Sequence, residues 1–246
     1  MKKIIFLLLT TILILSTVTL ASNKIEGLEN YKVMKEPKNP LLEKVEIIHY
    51  KKGFGKEYAI KFAGALKPSN CYKLMGVKWN TFPVNYVINP TNNFNLDQNF
   101  IGNAVFTGAE EWDKYTSKEL FNNNYVFDNN AKYGVLNNKN EISFGNYPQA
   151  GVIAVTTVWY NRYTRQIVEF DMMLDNDWNW GDATANSNFM DVQNIATHEL
   201  GHGVGLDDLY NKCTEETMYG YSNYGETSKR TLNTGDITGI QRIYGI

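Results

Sequence analysis

The sequence predicts an α+β fold. Three observations support this: several short strand-like runs parted by Asn- and Gly-rich turns, an amphipathic helix ahead of most of them, and a second helix, begun by a capping aspartate, after them. No internal repeat or low-complexity tract breaks the plan.

In chain order, MKKIIFLLLTTILILSTVTLAS carries two lysines, an apolar run and small residues near Ala21. This is the pattern of a secretory signal peptide over residues 1–21 and implies an extracellular protein. An uncleaved anchor is the alternative, because the run from Ile4 to Leu20 approaches spanning length. Residues 22–70 form a basic leader and candidate prosegment, with ten lysines against six glutamates, a net of +4. They hold Pro37, Pro40 and two strand-like runs, KVEIIHYKKG and EYAIKFAGAL, that need something else to fold against. Residues 71–246 form an acidic body, with twelve Lys or Arg against twenty Asp or Glu, a net of −8. An acidic body has no basic face to neutralise phosphates, so nucleic acid is not an expected partner. A basic leader could dock on it electrostatically, or could be a solvated linker. No later run is long and apolar enough to span a bilayer, so no stable membrane partner is expected, and the protein is expected to act as a monomer.

Within the body, PVNYVINP from Pro83 alternates as a strand and ends at Pro90. From Phe100, residues Ile101, Ala104, Val105, Gly108, Ala109 and Trp112 recur on one helical face, so NFIGNAVFTGAEEWDKYT is predicted to lie as a helix against a sheet. Strand-like runs follow at NYVFDN, EISFGN, GVIAVTTVWY and QIVEFDMMLD. Asp191 can then cap a helix over VQNIATHELGHG.

That last helix carries His198 and His202, two of only three histidines. Four residues apart, they stand one turn apart on one face and can aim at a single zinc ion. Glu199 is rotated around the helix, so its carboxylate can reach water at the metal without competing for the metal itself. Gly205 lets the chain leave the helix by a turn that a side chain would resist, and Asp208 can swing back as third ligand, with Asp207 the competing choice. Three protein ligands leave a fourth position open, as catalytic zinc sites do. His49 lies far upstream in the leader and is not expected to be a ligand. Asp171, Asp175 and Asp177 could bind Ca2+ or simply form an acidic turn. Cys71 and Cys213 are too few for a disulfide scaffold but enough for one bridge in an oxidising compartment.

On the strength of H-E-x-x-H-x-x-G-x-x-D, the chain resembles the metzincin zinc metalloproteases, with aspartate where the third histidine usually stands. CTEETMYGYS is similar to their Met-turn, with Met218 at the methionine; RTLNTGDITGIQRIYG is similar to the last helix of matrixins, and VEFDM followed by tryptophan resembles bacterial matrixins. The resemblance implies a zincin fold: a twisted, mostly parallel sheet with an edge strand over the cleft, two long helices, and a C-terminal helix after the Met-turn. It implies a secreted zinc endopeptidase acting on protein or peptide substrates, with Glu199 as general base and His198, His202 and Asp208 as ligands. A substrate strand would add along GVIAV, touching Ile153, Ala154 and Tyr219. The other reading is an exported binding module that keeps the zinc shell without turnover. The further histidines of a structural zinc site are absent, and MYGY lacks the proline common in the specificity-pocket wall. Cys71 could instead cap the metal as a latency thiolate, as in animal matrixins, but the motif around that cysteine is missing, which favours the Cys71–Cys213 bridge. The leader contains no aspartate, which excludes aspartate-based latency there.

Overall fold

In LEKVEIIHYK, Val45, Ile47 and His49 fall on one face and Ile48 and Tyr50 on the other, and both faces are buried. A strand buried on both sides must lie inside a sheet rather than on its surface. The computed structural model, which describes residues 31–54, 71–210 and 213–246, places it there. The signal-peptide reading and the run EYAIKFAGAL lie outside these residues.

The strands are β1 (Tyr31–Lys35), β2 (Leu42–Lys51), β3 (Val87–Ile88), β4 (Val126–Phe127), β5 (Glu141–Gly145), β6 (Val152–Asn161), β7 (Ile167–Asp175), β8 (Trp180–Gly181), β9 (Met190–Asp191) and β10 (Tyr221–Ser222). The helices are α1 (Gln98–Asp113), α2 (Val192–Gly203) and α3 (Thr234–Tyr244), with a 3-10 turn at Ser228–Arg230. One mixed sheet runs β1-β2-β6-β7-β5-β3-β4, with β10 beside β2, and β8 pairs with β9 separately. Strands β7, β5, β3 and β4 are mutually parallel, whereas β6 is antiparallel to β7. Within the body β6 is the last strand, as expected for the strand over the cleft. The leader carries the sheet past it, because β2 pairs antiparallel with β6 from Leu42↔Asn161 to Tyr50↔Val152. The docking left open between electrostatics and a solvated linker is carried by this ladder and by tyrosine–glutamate bonds. Tyr133 and Tyr147 each donate to Glu46 at 3.1 Å, and Tyr160 donates to Glu43 at 3.0 Å.

The predicted strand at PVNYVINP shrinks to Val87–Ile88, and Val84 bridges Phe121 instead, its N–H donating to the Leu120 carbonyl at 2.8 Å. Helix α1 begins one turn earlier in chain than its apolar pattern, where Asp97 accepts from the Asn99 and Phe100 N–H groups. Its buried face, including Ile101, Val105, Ala109 and Trp112, joins Ile195, Ala196 and Leu200 of α2 and Phe170 and Met172 of β7 in one core. The Trp112 indole N–H donates to the Thr197 carbonyl at 2.8 Å and fixes α1 on the helix that carries the histidines. Cys71 and Cys213 are disulfide-bonded across 142 residues of chain, a closure worth about 4–5 kcal/mol by loop entropy. Among the described residues no helix is long and apolar enough to cross a membrane.

Candidate metal centre

Helix α2 starts at Asp191, whose carboxylate accepts from the Asn194 N–H at 2.8 Å and is gripped by Arg230. The helix ends where Gly205, at φ +98°, turns the chain; a Cβ there would lie 2.4 Å from the Val77 carbonyl oxygen. The turn returns Asp208 to the histidines. His198 Nε2 lies 3.1 Å and His202 Nε2 3.4 Å from Asp208 Oδ1, and the two Nε2 atoms are 3.2 Å apart. All three residues are buried. Asp207, the competing candidate, turns outward to Lys73 at 2.7 Å.

The outer atoms of both rings set their tautomers. His198 Nδ1–H donates to the Thr217 carbonyl at 2.7 Å, and His202 Nδ1–H to the Leu206 carbonyl at 3.0 Å. A carbonyl can only accept, so in each neutral ring the Nε2 presents a lone pair. Two lone pairs and a carboxylate oxygen therefore converge on one buried point. Asp208 Oδ1 accepts no hydrogen bond there from the described residues, while Oδ2 is held by the Tyr210 hydroxyl at 2.6 Å. Such a cluster needs positive charge at its centre. With no metal to provide it, a proton would serve: burial by itself would lower the pKa of His202, but the Asp208 carboxylate outweighs that and lifts it to about 9. Asp208 remains well below the usual carboxylate range despite its burial, because the imidazoles favour its charge. This donor set fits a zinc ion with one coordination position to spare.

Met218 lies beneath the helix. A Cβ on Gly201 would meet the Met218 sulfur at 2.4 Å, so the glycine permits their contact. The turn around Met218 is hung from α3, where the Asp236 carboxylate accepts from the Thr217 and Met218 N–H groups at 2.6 and 3.1 Å. The carbonyl that orients His198 belongs to this turn, which links the Met218 segment to the metal site through Thr217. Tyr219, half-buried, packs against a second apolar cluster with Tyr221.

Glu199 stands beside that convergence, with a carboxylate oxygen within 4.8 Å of a His198 ring nitrogen, and is also buried. His49 Nδ1 lies 3.0 Å from its Oε1, and the Thr156 hydroxyl donates to Oε2. Burial, then the neighbouring His198, depress His49 to about 4, so at neutral pH its Nδ1–H donates to Glu199 and its Nε2 accepts from the Ser222 hydroxyl at 3.1 Å. Burial would raise Glu199, yet the His49 bond and the imidazoles hold it below the ordinary range and therefore ionised. His49 was not expected to be a ligand, and it is not grouped with the His198–His202–Asp208 trio; it does form a second cluster, with His198 and Glu199, that the sequence reading did not foresee. Its signal in the sequence was that it shares the face of Val45 and Ile47, and alternation names a face without naming what that face meets.

Ile153 and Ala154 are buried in the main core, opposite β2, with Ala154 paired to His49. Of the carboxylates named for calcium, Asp171 accepts from the backbone N–H groups of Gly134, Val135 and Glu141, and Asp175 from those of Tyr147 and Asp177.

Comparison with known proteins adds a family. A profile described as matrixin matches residues 78–245. Matrix metalloproteinase-16 of Homo sapiens is 35% identical over 75 residues, which is 30% of this chain and 12% of that protein. The same protein of Rattus norvegicus matches equally, and stromelysin-1 of Equus caballus is 38% identical over 76 residues, 30% of this chain and 15% of that protein. The matched stretch thus spans only a small part of these relatives.

Proposed function

Since the chain belongs to the matrixin family of zinc-dependent metalloendopeptidases, we propose that it is a secreted endopeptidase that hydrolyses peptide bonds in proteins, with its metal held by His198, His202 and Asp208. The observation that carries this reading is the convergence of two imidazole lone pairs and one carboxylate oxygen on a buried point, 3.1–3.4 Å from one another. Zinc bound there supplies Lewis acidity toward a carbonyl and makes water acidic enough to attack at neutral pH.

The chain's own residues supply the remainder. Thr217 and Leu206 hold the two imidazoles in the tautomer that ligation requires. Glu199, ionised and one residue from His198, accepts a proton from water and returns it to the departing amine. A peptide is gripped as an added strand, by main-chain hydrogen bonds along Ile153 and Ala154 on one side and past Tyr219 on the other. The apolar run ahead of Ala21 directs export.

Elemental analysis of the purified chain, paired with casein hydrolysis before and after limited proteolysis, tests the reading. About one zinc per chain is expected, with hydrolysis that a chelator stops and zinc restores. Protein without bound transition metal, or hydrolysis indifferent to the chelator, would sink it.

A further inference from the structure

Strand β2 lies where a peptide must lie for the proposed hydrolysis. Along its length it is antiparallel to β6, and at its end it is parallel to β10, with Tyr50 opposite Tyr221 and Lys51 opposite Ser222. The Lys51 N–H donates to the Gly151 carbonyl and the Lys52 N–H to the Ser222 carbonyl, both at 2.9 Å, so the chain is clamped between the strand over the cleft and the segment after Met218. On one face Ile48 and Tyr50 join Val152, Val155 and Tyr221 in an apolar cluster. On the other, His49 lies with its ring centroid 4.0 Å from that of His198 and its Nδ1 3.0 Å from Glu199. The matrixin match begins only at residue 78, so this strand stands ahead of the region shared with the family.

We infer that the segment Leu42–Lys51 is an intramolecular occupant of the peptide slot, and that His49 on Glu199 keeps the intact chain latent. The inference rests on the hydrolase reading for its consequence but on strand register and side-chain contact for its substance. Three effects add together. The backbone groups of β6 that would grip a substrate are spent on β2. The imidazole of His49 takes the space beside Glu199. The His49 Nδ1–H holds a lone pair on Glu199 Oε1, while Thr156 holds one on Oε2, so departure of the leader returns to water the Oε1 lone pair that His49 occupies. This arrangement differs from a thiolate on the metal, since Cys71 is committed to its disulfide. Activation then requires that the strand leave, which a cut between β2 and Cys71 allows. The disulfide lies wholly on the body side of such a cut.

The test uses the full chain with the recognition sequence of a site-specific protease placed within residues 55–70. Before cutting, the β6 amides should resist hydrogen exchange and casein hydrolysis should be low. After cutting and separating the leader, those amides should exchange faster. Hydrolysis should rise by roughly tenfold or more, since an occupied slot lowers apparent affinity by the fraction of molecules left open. A fluorescent synthetic peptide of residues 40–53 should bind the separated body, and the same peptide with His49→Ala should bind less well. In the uncut chain, His49→Ala should raise hydrolysis.

If separation or His49→Ala instead lowers the hydrolysis that the uncut chain shows, β2 is part of the working enzyme and the inference is overturned. If the peptide fails to bind the body, occupancy of the slot is overturned. If neither form hydrolyses casein yet the peptide binds and His49→Ala weakens it, the hydrolase reading falls and the occupancy stands.

Discussion

The two sides of Glu199 are built in opposite ways. On the metal side, His198, His202 and Asp208 lie within eleven residues, placed by one helical turn and one glycine. On the sheet side, His49, Thr156 and Ser222 come from three distant strands and meet only because β2 pairs with β6 in one register and with β10 in another. The first side is a local motif and would survive in any fold that keeps the helix. The second is a product of strand order, and a slip of one residue in β2 would turn His49 to the opposite face.

This contrast gives the largest expected effect to Asp208→Ala. Loss of a ligand should weaken zinc retention by more than about 100-fold, since outer-shell partners alone are worth about 10- to 100-fold. Dialysis against a graded chelator followed by elemental analysis measures it. The protection of β6 amides should remain, because the sheet side does not depend on the trio; loss of both together would show the two sides to be one unit.

Glu199→Gln sharpens the boundary between them. The amide cannot take a proton, so hydrolysis by the leader-free protein should fall by about 10²- to 10⁴-fold. Zinc content should stay that of the parent, and a parallel loss of zinc would make Glu199 part of the metal side.

Gly201→Ala probes the underside of the helix. Its Cβ would press on the Met218 sulfur and, at 2.6 Å, on the Trp112 ring, so a loss of about 1–3 kcal/mol in urea unfolding is expected. An unchanged midpoint would mean that Met218 does not support the metal side from below.

The last effect concerns residues outside both sides and sets the baseline for pH studies. Burial lifts Glu169 to about 7 and Asp171 to about 8, against ordinary values of 4.5 and 3.8. Between those ordinary values and the raised ones the folded protein holds protons that the unfolded chain has released. Stability from this pair should therefore fall as pH climbs from about 5 to about 8. Thermal melts should show the decline, and Glu169→Gln should flatten it. A melting temperature that rises through that window would contradict the assignment.

Much of the metal side was legible because its information is periodic and short. The helix over VQNIATHELGHG, its cap at Asp191 and the return of Asp208 all follow from spacing, as did the apolar face of α1. The short β3 was overestimated because alternation alone does not tell that Val84 will bridge Phe121 while Val87 and Ile88 pair with β4 and β5. Tyr210, which holds Asp208, and Thr217, whose carbonyl orients His198, left no mark in the sequence, since a hydroxyl or a backbone oxygen becomes a partner only through the path of the chain. Thr156 lay unremarked within the strand-like run GVIAVTTVWY. His49 was judged by its distance along the chain, and that distance said nothing about the register of β2.

By itself the sequence determined the helices α1 and α2, the histidine pair and the acidic third donor, because dihedral preference and helical period act over a few residues. Only the tertiary structure decided that the leader extends the sheet beyond β6, that its histidine reaches Glu199, and that Cys71 meets Cys213. Each of these joins segments more than one hundred residues apart, and such pairings are selected by the burial and hydrogen bonding of the whole molecule rather than by any local stretch of chain.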